Sequence, residues 1–364
     1  MRMRGLGMVA LGAVTALVLA ACGSDDSSSD SADTDSAVKG KVGVILPDTQ
    51  SSTRWESFDK PLLTKAFEEA GVEADIQNAL GDKSKFVSIA DGMIQDGVSI
   101  LAIVNLDSAT GAQVESKAKA AGVKTIDYDR LTLGGSADYY VSFDNVKVGE
   151  LQGQGLVDCL TAAKKTNPSV IELNGSPTDN NATLFKQGYD SVLDPKYKEG
   201  WKKVGDQSVP DWEAAKAVTI FEQLLTAAGG KVDGVLAAND TLGNSAITVL
   251  KKNGLRVPVT GQDASVGGLQ NILAGDQCMT VYKPIKEEAE GLVKLAVALL
   301  KNEKAETTGT VRDDQGKRDV PSLLLTPKPI TKETVKDVVA DGFVTKAQLC
   351  TGKYAALCTE AGVV

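Results

Sequence analysis

Histidine is absent from all 364 residues of this chain. That removes the general base of Ser-His-Asp and Cys-His nucleophiles and the imidazole ligands of His-bound zinc and haem. Positive charge is also in deficit: 39 lysines and arginines stand against 48 aspartates and glutamates, a net charge of −9. A nucleic-acid partner wants a basic surface that displaces counterions, so no nucleic acid is expected. The five cysteines include no Cys-x-x-Cys pair, so thioredoxin-type or metal chemistry has little support and neither metal nor cofactor is expected. What remains is a carboxylate-, lysine- or cysteine-based enzyme, or a protein that binds without reacting. The length suits two domains of ordinary size, each able to bury a core.

Arg2 and Arg4 precede an uncharged run, Gly5–Ala21, that is too short and glycine-rich for a comfortable membrane span. It fits the apolar region of a secretory signal over residues 1–21. The run ends Leu19-Ala20-Ala21-Cys22, which resembles the lipobox of bacterial lipoproteins. The resemblance implies lipidation of Cys22 and anchorage to the outer face of the cytoplasmic membrane, or a periplasmic location. Residues 22–39 then read as anchor and tether, because Gly23–Ser36 is almost entirely Ser, Asp, Ala and Thr and has nothing apolar to bury. With Cys22 set aside, four thiols remain. The short loop Cys350–Cys358 across Gly352 is the favoured disulfide, which leaves Cys159–Cys278; four reduced core cysteines are the alternative.

From Lys41 the chain alternates. Val42–Leu46 is a buried strand bounded by Pro47, a helix is expected from Arg54 to Ala70, and strands Val72–Asn78, Val98–Asn105 and Val123–Tyr128 alternate with helices Ser84–Gln95 and Gly111–Ala121. The cycle restarts at strand Ser169–Leu173 and runs through helix Trp212–Ala228, strand Val232–Ala238, helix Ser245–Asn253 and strand Val257–Gly261. Such alternation predicts an α/β fold of right-handed βαβ units with parallel sheets. Asn105 precedes Asp129 by 24 residues, and Asn239 precedes Asp263 by the same 24. A helix, a glycine stop and a new strand lie between each pair, which points to duplicated lobes.

In open α/β sheets ligands bind at the carboxyl ends of the strands. Asp48, Asn105, Asp129, Arg130, Asn239 and Asp263 terminate strands here, and Asp129 and Asp263, one per lobe, would converge in a cleft. Trp55 and Trp212 lie near strand-to-helix boundaries and offer indole faces to the C–H face of a pyranose. Arg54, Arg130 and Lys283 are charged donors, the two aspartates charged acceptors, and Asn181 and Asn239 can do both, which matches hydroxyl groups. Trp212 could instead be core, Asp129–Arg130 a surface pair and the asparagines turn residues. Trp201 reads as packing.

Several stretches carry a resemblance: Arg54-Trp55, Asn78-Ala79-Leu80-Gly81-Asp82, Tyr128-Asp129-Arg130, Tyr139–Gln152, Gly175–Ala182, Gly261-Gln262-Asp263-Ala264 and Met279–Pro284. The chain resembles type I periplasmic sugar-binding proteins of ABC transporters, nearest their D-xylose-binding branch, over about Val42–Phe343. The resemblance implies two Rossmann-like doubly wound parallel-sheet lobes joined by a three-segment hinge, with crossings near Asp144, Met279 and Leu324. The first lobe would comprise residues 40–144 and 279–323, the second 145–278 and 324–364. It implies a monosaccharide site of Arg54, Trp55, Asp129, Arg130, Asn181, Trp212, Asn239, Asp263 and Lys283, and a monomer that delivers sugar to a permease. Ser208 and Pro210-Asp211 depart from the family pattern before Trp212, and Cys350–Val364 extends it. A retaining glycosidase would need its carboxyl pair about 5–5.5 Å apart. A repressor would need a helix-turn-helix where the signal and tether stand. A sugar-sensing lipoprotein is the remaining alternative.

Overall fold

Val42, Val44 and Leu46 pack into one hydrophobic core and Ile45 into another, so the first apolar run is buried on both faces. This is why the strand reads as continuously apolar rather than alternating. The structure, a computed structural model, describes residues 39–363. The export signal expected over 1–21, Cys22 and nearly all of the tether over 22–39 lie outside the described residues.

In chain order the first lobe contains β1 (Lys41–Leu46), a π-helical turn (Trp55–Asp59) running into α1 (Lys60–Glu69), β2 (Glu73–Asn78), α2 (Lys83–Gln95), β3 (Ile100–Ile103), α3 (Ser108–Ala120), β4 (Lys124–Tyr128) and β5 (Tyr139–Phe143). The second contains α4 (Asn145–Ala162), β6 (Ser169–Asn174), α5 (Asn180–Lys198), β7 (Lys202–Ser208), α6 (Ala214–Ala227), β8 (Gly234–Ala237), α7 (Asp240–Lys252), α8 (Val266–Ala274) and β9 (Thr280–Tyr282). The chain returns to the first lobe for α9 (Ile285–Leu300), β10 (Gly309–Asp313) and β11 (Arg318–Leu325). It ends in the second with β12 (Lys328–Ile330), α10 (Val335–Ala340), α11 (Lys346–Leu349) and α12 (Tyr354–Glu360).

The first sheet has the order β10-β11-β5-β4-β3-β1-β2, parallel except for the antiparallel β10–β11 edge. The second repeats the β2-β1-β3 end of the first as β7-β6-β8, all parallel. Both are doubly wound, with strand order reversing beside the first strand of each lobe. The strand expected at Val257–Gly261 reduces to a parallel bridge between Val259 and Val235, where Pro258 lacks the N–H that a longer ladder needs. The duplication extends to the loops. Asp129 donates its N–H to Val141 in β5 at 2.8 Å and Asp263 to Val281 in β9 at 2.9 Å, both with positive φ (63° and 92°).

Three crossings join the lobes, between β5 and α4, between β9 and α9, and between β11 and β12. The second falls just past Met279, because β9 pairs with β12 rather than with the first sheet. Cysteine 159 is bonded to Cys278, and Cys350 to Cys358. The helix expected from Trp212 begins instead at Ala214. Trp212 closes a short 3-10 turn from Pro210, with φ of 58° at both Asp211 and Trp212.

Candidate functional site

The loop after β1 is folded by Asp48, whose carboxylate accepts the N–H groups of Gln50 and Ser51 and the Ser51 hydroxyl. This turns Ser51 and Ser52 inward and places Arg54 at the start of the π-helical turn. The Arg54 guanidinium is buried and reaches Asp59 through Nε (2.9 Å) and Nη2 (2.7 Å), Asp129 through Nη1 (2.7 Å) and Glu288 through Nη2 (2.5 Å). Of its five N–H groups, one on Nη1 is left over. Burial disfavours the Arg54 charge, but Asp59, Asp129 and Glu288 more than compensate and hold its pKa above the ordinary value. Trp55 donates to Ser51 Oγ at 3.0 Å, and its ring lies under the Arg54 and Arg130 guanidinium groups at 4.4 and 5.3 Å.

Two carboxyls on this platform diverge. Burial pushes Asp129 up, yet Arg54, Lys283 and Arg130 pull it below the usual range, so it stays ionised. Burial drives Glu288 up to about 8, with Arg54 offsetting part of the shift and Asp129 and Asp59 adding to it.

The second lobe answers with helix starts. Asp179 caps α5 by accepting the Asn181 N–H at 2.9 Å, and its other oxygen accepts Trp212 Nε1 at 3.1 Å. Asn181 donates across the cleft to the Asp129 carbonyl at 2.8 Å. Asn239 caps α7 through its carbonyl oxygen and donates across to Ser51 O at 3.3 Å. Asp263 accepts from Ser52 Oγ at 3.1 Å, and Lys283 Nζ lies 3.1 Å from its other oxygen. Arg130 Nε lies 3.2 Å from Asp179, close enough to pair in charge, yet it makes no aligned hydrogen bond.

Trp212 is both core and cavity wall. Its six-membered ring edge covers Gly175, where a Cβ would fall within the indole. Phe185 meets it edge-on at 6.4 Å. Asp211 takes the left-handed conformation that suits a glycine and anchors it by donating to Ser176 Oγ at 3.1 Å.

These groups line about 300 Å³ of space not filled by protein atoms, part of it open to solvent. Arg54, Trp55, Asp129, Arg130, Asn181, Trp212, Asn239, Asp263 and Lys283 all line it, joined by Ser51, Ser52, Asp179, Phe185 and Gln262. Arg130 Nε, Gln262 Oε1 and Asp263 Oδ1 are buried there without an aligned hydrogen-bond partner. Asp48 and Asn105 support the site from outside. Asn105 binds the Arg130 carbonyl and Thr132, and accepts Arg130 Nη1 on its own carbonyl. Asp179 escaped the sequence reading because an aspartate before a helix reads as a cap, which it also is. Phe185, in mid-helix, carried no signal beyond core. Among the described residues no cluster of three or more acidic or sulfur ligands is placed to hold a metal.

The family model described as periplasmic binding protein domain matches residues 42–304. The D-xylose-binding periplasmic protein of Haemophilus influenzae is 39% identical over 313 residues, covering 85% of this chain and 92% of that protein. Its counterpart in Escherichia coli is 38% identical with the same coverage. A carbohydrate transporter solute-binding protein of Chloroflexus aurantiacus, solved with D-glucose, superposes with a TM-score of 0.77 at 29% identity, covering 85% of this chain and 98% of that one.

Proposed function

The chain belongs to the periplasmic binding protein family, and from that premise we propose that it captures a monosaccharide, D-xylose first, between its lobes and hands it to an ABC sugar permease. It is a substrate-binding protein of the exported, periplasmic type, not an enzyme. The observation that carries the proposal is the cavity: charged donors and acceptors from both lobes, two indoles and buried polar atoms without an aligned hydrogen bond line one space. Sugar hydroxyls donate and accept at once, so separate hydroxyls can donate to Asp263 Oδ1 and Gln262 Oε1 and one can accept from Arg130. Two carboxylates each tied to a cation suit hydroxyl clamping rather than acid catalysis.

Closure follows from the same geometry. A ligand favours the closed state only if it binds that state better, and one that touches both lobes does so. The nine residues named from the sequence are the proposed contacts. Lipidation of Cys22 would keep the monomeric protein beside its permease. The test is a thermal-shift panel of a dozen monosaccharides on the purified chain. A ligand at 100 times its dissociation constant adds about 2.7 kcal/mol, so D-xylose is expected to raise the melting temperature by several degrees. A panel in which no monosaccharide shifts it would overturn the proposal.

A further inference from the structure

We propose that the mouth of the cleft is a second saccharide subsite, so that the protein also takes a disaccharide, one ring in the inner cavity and the other outside it. The proposal rests on the monosaccharide reading above. A second space of about 1140 Å³, open to solvent, adjoins the inner one. Ser51, Arg130, Asp179 and Trp212 line both. At this shared wall the Arg130 Nε proton is buried and lacks an aligned acceptor. A glycosidic oxygen is an acceptor only, so the linkage of a disaccharide suits that position.

The outer walls come from both lobes and mix apolar with hydroxyl-binding groups. Leu80 is the one large apolar side chain well exposed among the described residues, at 57%. Its backbone is left-handed, with φ of 58°. A leucine that is both exposed and strained contributes nothing evident to folding, and strain of this kind concentrates at ligand sites. It is held on purpose: Asn78 Oδ1 accepts the Leu80 N–H at 2.8 Å, while Asn78 Nδ2 binds Asp48 O and Glu56. The same asparagine thus couples Leu80 to the loop that carries Ser51. Around this aliphatic face stand Lys83 on one lobe and Thr178 and Asp211 on the other, donors and acceptors for the hydroxyls of an outer pyranose.

Calorimetry of the full chain with D-xylose and with xylobiose tests this, beside the Leu80→Asp variant. Aspartate accepts the left-handed backbone more readily than leucine, so the variant is expected to fold, and circular dichroism checks it. The wild type should bind both sugars, with xylobiose within about tenfold of D-xylose, or about 1.4 kcal/mol. Leu80→Asp should weaken xylobiose at least about fivefold and leave D-xylose within about twofold. D-xylose binding without xylobiose binding overturns the subsite and leaves the monosaccharide reading standing. Xylobiose binding that ignores Leu80→Asp overturns the placement of the outer ring. Binding of neither sugar defeats both.

Discussion

Asp129 and Asp263 sit in left-handed backbone at equivalent places in the two lobes. Each keeps its N–H in contact with the next strand while its carboxylate turns into the cleft. Aspartate tolerates this conformation better than most residues, so the position selects the residue as much as the ligand does. Asp263→Ala should leave a folded protein and weaken D-xylose binding by about tenfold or more, since hydrogen bonds to charged groups contribute about 1.5–3 kcal/mol. Calorimetry showing unchanged affinity would remove Asp263 from the site. Gly175 makes the converse case, in which the missing side chain is the functional feature. Gly175→Ala should displace the Trp212 indole, cost about 1–3 kcal/mol of stability as overpacking does, and weaken sugar binding. Urea denaturation followed by tryptophan fluorescence measures the first effect, calorimetry the second.

At the scale of elements, the strand ends were legible because the sequence alternation fixes where each strand stops, and a polar residue there has only the cleft to face, whereas the helices expected from Gly111, Trp212 and Ser245 begin at Ser108, Ala214 and Asp240. The spacing from Asn105 to Asp129 and from Asn239 to Asp263 survives as matched loops. Two things were not legible. Glu288 lies in the first turn of α9 within Ile-Lys-Glu-Glu-Ala-Glu, where a glutamate reads as solvated and complementary to the helix dipole, and only packing of α9 against the first lobe turns it onto Arg54. The contact between Phe58 and Phe343 joins distant parts of the chain. Phe58 in the π-helical turn of the first lobe stacks at 4.1 Å on Phe343, which precedes α11 in the second. Neither lines the cavity, but the stack bridges the lobes. Aromatic pairs contribute about 0.5–1.5 kcal/mol beyond burial. Phe343→Leu should therefore lower D-xylose affinity about two- to tenfold, with a larger radius of gyration in small-angle scattering without sugar. An unchanged affinity and radius would mean that the stack persists through opening.

For the molecule as a whole, the missing histidine governs its response to pH. Between about pH 5 and 8 no side chain with an ordinary pKa titrates in such a chain, so shifted carboxyls control stability there. Burial raises Asp240 to about 7, helped by Asp263 and opposed by hydrogen bonds from Gln277, Thr280 and Ser265. Glu288 rises to about 8, and Glu115, Asp127 and Glu172 are also raised by burial. A carboxyl with a raised folded pKa binds a proton that the unfolded chain has already released. Its stabilising effect is present at low pH and is lost as pH climbs through the folded value. The carboxyls held low, among them Asp107, Asp129, Asp206 and Asp233, act in the opposite sense. They have finished titrating by about pH 5. Resistance to urea should therefore be greatest near pH 5 and decline toward pH 8, where many proteins would hold steady. Glu288→Gln should make that decline shallower across pH 5 to 8, most visibly between about pH 7 and 8, where Asp240 has already released its proton. Urea midpoints that stay level from pH 5 to 8 in the wild type would mean that these carboxyls are ionised throughout, and that the lobes carry their buried negative charge without the protons inferred here.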